Sequence, residues 1–181
     1  MGKFYRFSIG LFITVALTFA SLFLSADPVE AHAIHTSLSI PAINVDAPIG
    51  TAYLRRFANG AVTWDMSPFR WQAAHLQGTS WFGQPGNVII GGHSEVARGE
   101  ADIFYHLNKV SIGNEIYVSD GDRELAYKIV DVINVSYRDI SVLNARHSEQ
   151  LTLITCDTNS YDANSDFYLR RIIVIATPLS G

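Results

Sequence analysis

The chain of 181 residues is 48% hydrophobic and 17% charged, with one cysteine and a formal net charge of −4. Such a chain suits one globular domain with an appendage and excludes wholesale disorder, a collagen-like fibre and a disulfide scaffold. One cysteine also excludes an internal disulfide, a zinc cage of several thiolates and a Cys-x-x-Cys redox pair, and the mild acidity supplies no basic face for nucleic acid.

Residues 7–24 form an uncharged apolar run, interrupted only by small or weakly polar residues such as Ser8, Gly10, Thr14, Thr18 and Ser21. Lys3 and Arg6 precede it, and Asp27 and Glu30 follow. At about 1.5 Å per residue, a helix over this run approaches the roughly 30 Å of a bilayer's hydrocarbon core. The basic flank predicts a cytoplasmic N-terminus with the remaining chain on the extracellular face. The expectation is a single-pass membrane anchor over residues 1–25, a polar linker over 26–36 and a folded domain over 37–181. Ala31-His32-Ala33 offers the competing reading of a cleaved secretory signal. Either way the domain is exported, and an unpaired thiol is unusual in an oxidising compartment. His32 and His35, in the linker, read as solvated rather than as metal ligands.

Beyond the linker, short β-rich segments alternate with turn residues. Strands are predicted over residues 38–40 before Pro41, 43–45, 87–90 before Gly91-Gly92, 115–118 before Asp120-Gly121, 125–135, 151–155 and 171–176. Only residues 104–110 and parts of 59–76 read as short helices. This pattern predicts an all-β sandwich or barrel rather than βαβ units. Asn134-Val135-Ser136 is formally a glycosylation sequon but falls within an apolar strand. Glu95, Glu100 and Asp102 lack the spacing of a calcium loop and read as a solvated loop.

Cysteine chemistry needs a thiolate, a partner that moves its proton, and a donor for the oxyanion that forms on attack at a carbonyl. Cys156 ends a predicted strand in which it shares a face with Ile154, so its side chain can leave the core and enter a cleft. His93 stands apart from His75, His106 and His147 because it follows Val88-Ile89-Ile90 and Gly91-Gly92, where a strand ends and the chain can turn sharply. Arg170-Arg171 opens the last strand, which brings one guanidinium to the mouth of the same sheet. Each has a plainer reading: an inert core cysteine, a turn histidine, a solvated arginine pair. Sixty-three residues separate His93 from Cys156, and nothing local in the chain enforces their contact.

Thr152-Leu153-Ile154-Thr155-Cys156 closely resembles the Thr-Leu-x-Thr-Cys signature of sortases, the membrane-anchored transpeptidases of bacterial surfaces. Gly86-Asn87-Val88-Ile89-Ile90-Gly91-Gly92-His93 is similar to their Gly-Asn-apolar-apolar-apolar-x-Gly-His block, and Arg171-Ile172-Ile173-Val174-Ile175-Ala176 to their closing arginine strand. Ile40-Pro41-Ala42-Ile43-Asn44-Val45 and Pro48-Ile49 match the opening strand pattern. The resemblance implies an all-β, closed eight-stranded barrel with one or two short helices, preceded by a transmembrane segment. It implies Cys156 as nucleophile, His93 as acid/base partner, Arg171 rather than Arg170 as oxyanion or peptide ligand, and Thr155 as a shaper of the substrate site.

The implied reaction cleaves a Leu-Pro-x-Thr-type sorting signal through a thioester and transfers the protein to an amine of a cell-wall precursor or a pilin lysine. It calls for no cofactor and no metal, and a calcium requirement stays open. Residues 136–150 correspond to the family's variable loop, where Tyr137, Ile140, Val142 and Leu143 are groove candidates. His93 is followed by Ser94-Glu95, where a basic residue is often found. A non-catalytic exported barrel that binds peptides or surface polymers, and a cysteine endopeptidase that releases peptides to water, are the competing readings.

Overall fold

A computed structural model describes residues 36–121 and 123–179. Eight strands close a barrel: β1 (Ser37–Ile40), β2 (Val45–Ala52), β3 (Ala73–Leu76), β4 (Asn87–Gly91), β5 (Glu115–Asp120), β6 (Arg123–Ser136), β7 (Gln150–Cys156) and β8 (Arg170–Pro178). Their order around the barrel is β1-β2-β3-β4-β7-β8-β6-β5, and β5 pairs back onto β1. The β2–β3 and β4–β7 pairs are parallel and the rest are antiparallel. The expected membrane anchor lies outside the described residues. Among the described residues no helix is long and apolar enough to cross a membrane.

The first hairpin follows from its sequence. Leu38 and Ile40 alternate with Ser37 and Ser39, so one face is buried and the other is not. Pro41 fixes its own φ and opens a single 3₁₀ turn over Pro41–Ile43. Asn44 then takes a left-handed conformation with φ of 52°, and the chain returns as β2. The strand predicted over residues 43–45 is therefore a turn, and the strand starts at Val45.

The 14-residue β6 is too long to stay straight in a small barrel. It pairs with β5 at its start and with β8 along its remainder, and a register shift between Ile129 and Asp131 lets it bend.

The helix expected within residues 59–76 is absent. The chain there forms a hairpin of Leu54–Arg56 against Val62–Trp64, followed by β3. In β3, Ala73, Ala74, His75 and Leu76 are all buried, so the strand shows no alternation, and a short apolar run of this kind cannot be told from buried helix by its period. Buried His75 directs Nε2 to the Ser80 carbonyl at 2.9 Å. The helix expected over 104–110 shrinks to a 3₁₀ turn at Leu107–Lys109, one of four such turns among the described residues.

Inside the barrel, Leu38, Ile40, Val88, Ile90, Phe104, Ile116, Val118, Leu151, Leu153 and Val174 form the main core. A second cluster of Ala52, Ala74, Leu76 and Ile89 lies on the outer side of β3 and β4, with Trp64, Met66, Leu143 and Ile154 packed against it. Phe104 is fully buried and sits directly over Gly92. A Cβ on Gly92 would meet the Phe104 ring at 2.4 to 2.9 Å, closer than carbon atoms approach. Gly92→Ala is expected to destabilise the domain by about 1–3 kcal/mol through overpacking and to shift the turn that carries His93. Thermal unfolding together with turnover checks this: both fall, and the activity loss exceeds the loss of folded protein.

Candidate active site

The site is built at the end of β7. There β7 lies between β4, with Ile154 opposite Gly91, and β8, with Cys156 opposite Arg171. Leu151 and Leu153 enter the core, while Ile154 and Cys156 are half-buried on the face that lines a cleft. The shared face expected for Ile154 and Cys156 is the one observed.

Two hydrogen bonds hold the turn after β4 against β7. The Gly92 amide donates to the Ile154 carbonyl at 3.2 Å, and the Thr155 hydroxyl donates to the Gly92 carbonyl at 2.9 Å. With the glycine pair so fixed, His93 reaches the same cleft as Cys156. His93 Nε2 lies 2.8 Å from the Met66 carbonyl oxygen. A carbonyl only accepts, so Nε2 carries the hydrogen, and in the neutral ring Nδ1 is the acceptor nitrogen. Buried Thr155 has its hydroxyl committed to the histidine turn, which makes its visible contribution the placement of His93.

The two arginines diverge, as neighbours on a strand must. Arg170 reaches onto β6, where its Nε donates to Asn134 Oδ1 at 2.8 Å. Arg171 lines the cleft. Its Nη1 donates to the Tyr168 carbonyl at 2.7 Å and the Arg170 carbonyl at 2.9 Å, and its guanidinium carbon lies 5.2 Å from the centre of the Phe167 ring. Beyond the cysteine, the buried Asp157 carboxylate accepts from the Asn159 amide at 3.0 Å and from Asn134 Nδ2 at 2.5 Å, which fixes the chain leaving Cys156.

Burial pushes the Cys156 thiol above its ordinary value. The Arg171 guanidinium opposes this shift and the Glu95 carboxylate adds to it. The thiol at rest is therefore neutral near pH 7, and a proton must leave it before it attacks.

The cleft has a volume of about 490 Å³. It is lined by Val62, Trp64 and Met66 from the hairpin and the segment after it, by Tyr137, Ile140, Val142 and Leu143 from the loop after β6, and by Ile154 and Ile173 from β7 and β8. All four groove candidates from residues 136–150 line it. Their segment is tied to the barrel by buried Asn87, whose Nδ2 donates to the Val142 and Asn144 carbonyls at 3.0 and 3.1 Å. Asn87 Oδ1 accepts from the Thr152 hydroxyl at 2.7 Å. Asn87→Ala is expected to free this segment and raise KM for a groove-binding peptide about fivefold to tenfold, with a smaller change in kcat, because substrate binding loses pre-organisation before chemistry does. Steady-state kinetics on a peptide series checks it.

Asn87, Met66 and the wall from the 54–64 hairpin were not singled out from sequence. Asn87 lies in the Gly-Asn-apolar block, whose pattern gives its amide no partner, and Met66 meets His93 through its backbone carbonyl, which leaves no trace in side-chain type. His75 is buried away from the cleft lining, and His106 and His147 are exposed.

The solvated loop expected for Glu95, Glu100 and Asp102 is corrected. Asp102 is buried, and its Oδ1 accepts from the Trp71 and Ile103 amides at 2.8 and 2.6 Å. Glu95 accepts from Tyr168 and from the Gly99 amide, and only Glu100 is exposed. Backbone amides and a distant tyrosine hold these carboxylates where sequence spacing showed only charge. Among the described residues no cluster of three metal-ligating side chains occurs.

Comparison with known proteins agrees with this geometry. The family model described as Sortase domain matches residues 38–179. Sortase A of Listeria monocytogenes serovar 1/2a is 31% identical over 72 residues, which cover 40% of this chain and 32% of that relative, so the match spans about a third of the relative's length. The structure of a lid mutant of Sortase A from Corynebacterium diphtheriae superposes with a TM-score of 0.62 at 26% identity, covering 82% of this chain and 71% of that one. Listeria monocytogenes sortase A, at 20% identity, shares the fold with a TM-score of 0.64 over 82% of this chain and 88% of that one. With a family match across nearly the whole described domain, on a closed barrel whose cysteine, histidine and arginine line one cleft, the chain belongs to the sortase family.

Proposed function

We propose that this chain cleaves a Leu-Pro-x-Thr-type sorting signal and joins the new carboxyl end to an amine of a cell-wall precursor or a pilin. The observation that carries the reading is the convergence of Cys156, His93 and Arg171 on one apolar-walled cleft.

The Cys156 proton passes to His93 as Sγ bonds to the threonine carbonyl carbon. Arg171 stabilises the oxyanion. The imidazolium then protonates the departing amine as the C–N bond breaks, leaving a thioester on Cys156. The acceptor amine adds to that carbonyl and gives up a proton to the now neutral His93, the C–S bond breaks, and His93 returns that proton to Sγ, restoring the thiol. Thr155 supports the reaction by holding the histidine turn, and the apolar walls suit the leucine and proline of the signal. Nucleophile, acid/base and cation all come from the chain, so the reaction draws on no cofactor.

The apolar run at residues 7–24 and its basic flank support a membrane anchor over 1–25 and a linker over 26–36. On this reading the catalytic domain, residues 37–181, lies on the extracellular face, where its protein substrates are displayed.

The test incubates Leu-Pro-x-Thr-Gly and Leu-Pro-x-Thr-Ala peptides with several amines and identifies products by mass. Amide products that depend on the added amine are expected. Hydrolysed peptide alone, whatever amine is present, makes the chain an endopeptidase. Intact peptide in every mixture, with a thiol that alkylates only after unfolding, makes it a binding barrel.

A further inference from the structure

We infer that Glu95 and Tyr168 form a strap that positions Arg171 beside Cys156, an inference that rests on the catalytic reading of Cys156, His93 and Arg171. Glu95 opens a small hairpin strand, Glu95–Ala97, two residues after His93. Tyr168 closes another, Phe167–Tyr168, three residues before Arg171. These two elements are 73 residues apart in sequence, yet the Tyr168 hydroxyl donates to Glu95 Oε2. The second carboxylate oxygen is also engaged, accepting from the Gly99 amide at 2.7 Å.

The same tyrosine faces the arginine through its backbone. Its carbonyl accepts from Arg171 Nη1 at 2.7 Å, while the Phe167 ring lies under the guanidinium. Tyr161 packs on Tyr168 with ring centres 5.3 Å apart, and Arg98, from the hairpin that Glu95 opens, lies 5.0 Å from the Tyr161 ring centre. The contacts therefore close a circuit from the histidine turn through Glu95 and Tyr168 to Arg171, which stands opposite Cys156 on β8. Arginine is a long, flexible side chain, and an oxyanion ligand works only if it is already in place when charge develops. A carbonyl on a two-residue strand holds it well only if that strand is itself anchored, which is what the Glu95 contact does. Burial and the neighbouring carboxylate raise the Tyr168 hydroxyl above its usual range, so it remains the donor throughout the working pH range.

Ionisable groups around the thiol are His93 on the turn after β4, Glu95 and Tyr168 on the two hairpins, Arg171 on β8, and Asp139 in the cleft lining. Tyr168→Phe removes only the hydroxyl. It loosens the seat of Arg171 and leaves the Glu95 carboxylate free to pair with the guanidinium. Both changes weaken the positive field at Cys156, so the thiol titrates higher. Glu95→Ala breaks the strap from the other side, whereas Glu95→Gln keeps an acceptor for the tyrosine.

The experiment measures peptide kinetics and the pH dependence of iodoacetamide alkylation of native full-length protein, in wild-type and Arg171→Ala backgrounds. Tyr168→Phe is expected to lower kcat about tenfold, with KM within about twofold, and to raise the alkylation midpoint by roughly half to one pH unit. Neither change is expected once Arg171 is already alanine. Glu95→Gln restores most of the kcat lost in Glu95→Ala, a pair that also serves if Tyr168→Phe folds poorly.

Equal losses in both backgrounds would reduce the strap to a hairpin staple and overturn the inference, as would wild-type behaviour of Tyr168→Phe. If wild-type protein makes no amide product, the transpeptidase reading fails, and the alkylation shift with its dependence on Arg171 still decides the strap.

Discussion

Cys156→Ala is expected to form no amide product and no peptide adduct, with turnover down by at least about 1,000-fold, as when the nucleophile of a covalent mechanism is removed. The chain has one cysteine, so no second thiol can take over. The side chain is half-buried at a strand end, outside the barrel core, and replacing its sulfur with hydrogen opens little volume there. Thermal unfolding should therefore stay close to wild type, within about 1 kcal/mol, which separates lost chemistry from lost fold. Product analysis by mass alongside a melting curve gives both readings. Wild-type rates from Cys156→Ala would remove the nucleophile from the mechanism.

Arg171→Ala is expected to cost about 100-fold to 1,000-fold in kcat, the range for deleting one pre-organised oxyanion donor. It has a second effect whose sign is fixed by electrostatics. Burial raises the Cys156 thiol, Glu95 raises it further, and Arg171 is the group that lowers it. Without the guanidinium the thiol titrates higher still, so the alkylation profile moves to higher pH and labelling at pH 7 slows. Arg171→Lys keeps the charge and loses the planar fork, so it should recover the titration more fully than the rate. An unchanged alkylation profile in Arg171→Ala would mean that the arginine does not act on the thiol.

The barrel was legible where strands alternate or carry β-branched runs. β1 announces itself by Leu38 and Ile40 between serines, and β7 by Leu151 and Leu153 facing away from Ile154 and Cys156. β3 was hidden because all four of its residues are buried, which erases the period that distinguishes strand from helix. The 54–64 hairpin was missed for the opposite reason: its strand residues are mostly exposed, so no buried face marks them.

In the site, Cys156, His93 and Arg171 were named from motifs, since no local spacing brings residues so far apart together. The barrel's β4–β7 and β7–β8 pairings supply that proximity. Asn87, Met66 and the Glu95–Tyr168 contact escaped because they work through backbone groups or through partners 55 to 73 residues away. Glu95 illustrates the gap best. As a letter in the sequence it was one charge in a polar loop, and in the fold it is bonded to the segment that seats Arg171.

The thioester on Cys156 is read directly by the intact mass of the full-length protein after mixing with a Leu-Pro-x-Thr-Gly peptide, before and after an amine is added. A mass increase equal to the acyl fragment that ends at threonine is expected, located on Cys156 and absent from Cys156→Ala. The amine is expected to discharge this adduct with formation of the matching amide. An unmodified protein beside peptide that is cleaved and joined would contradict the thioester, and a protein that leaves the peptide intact would contradict the transpeptidase.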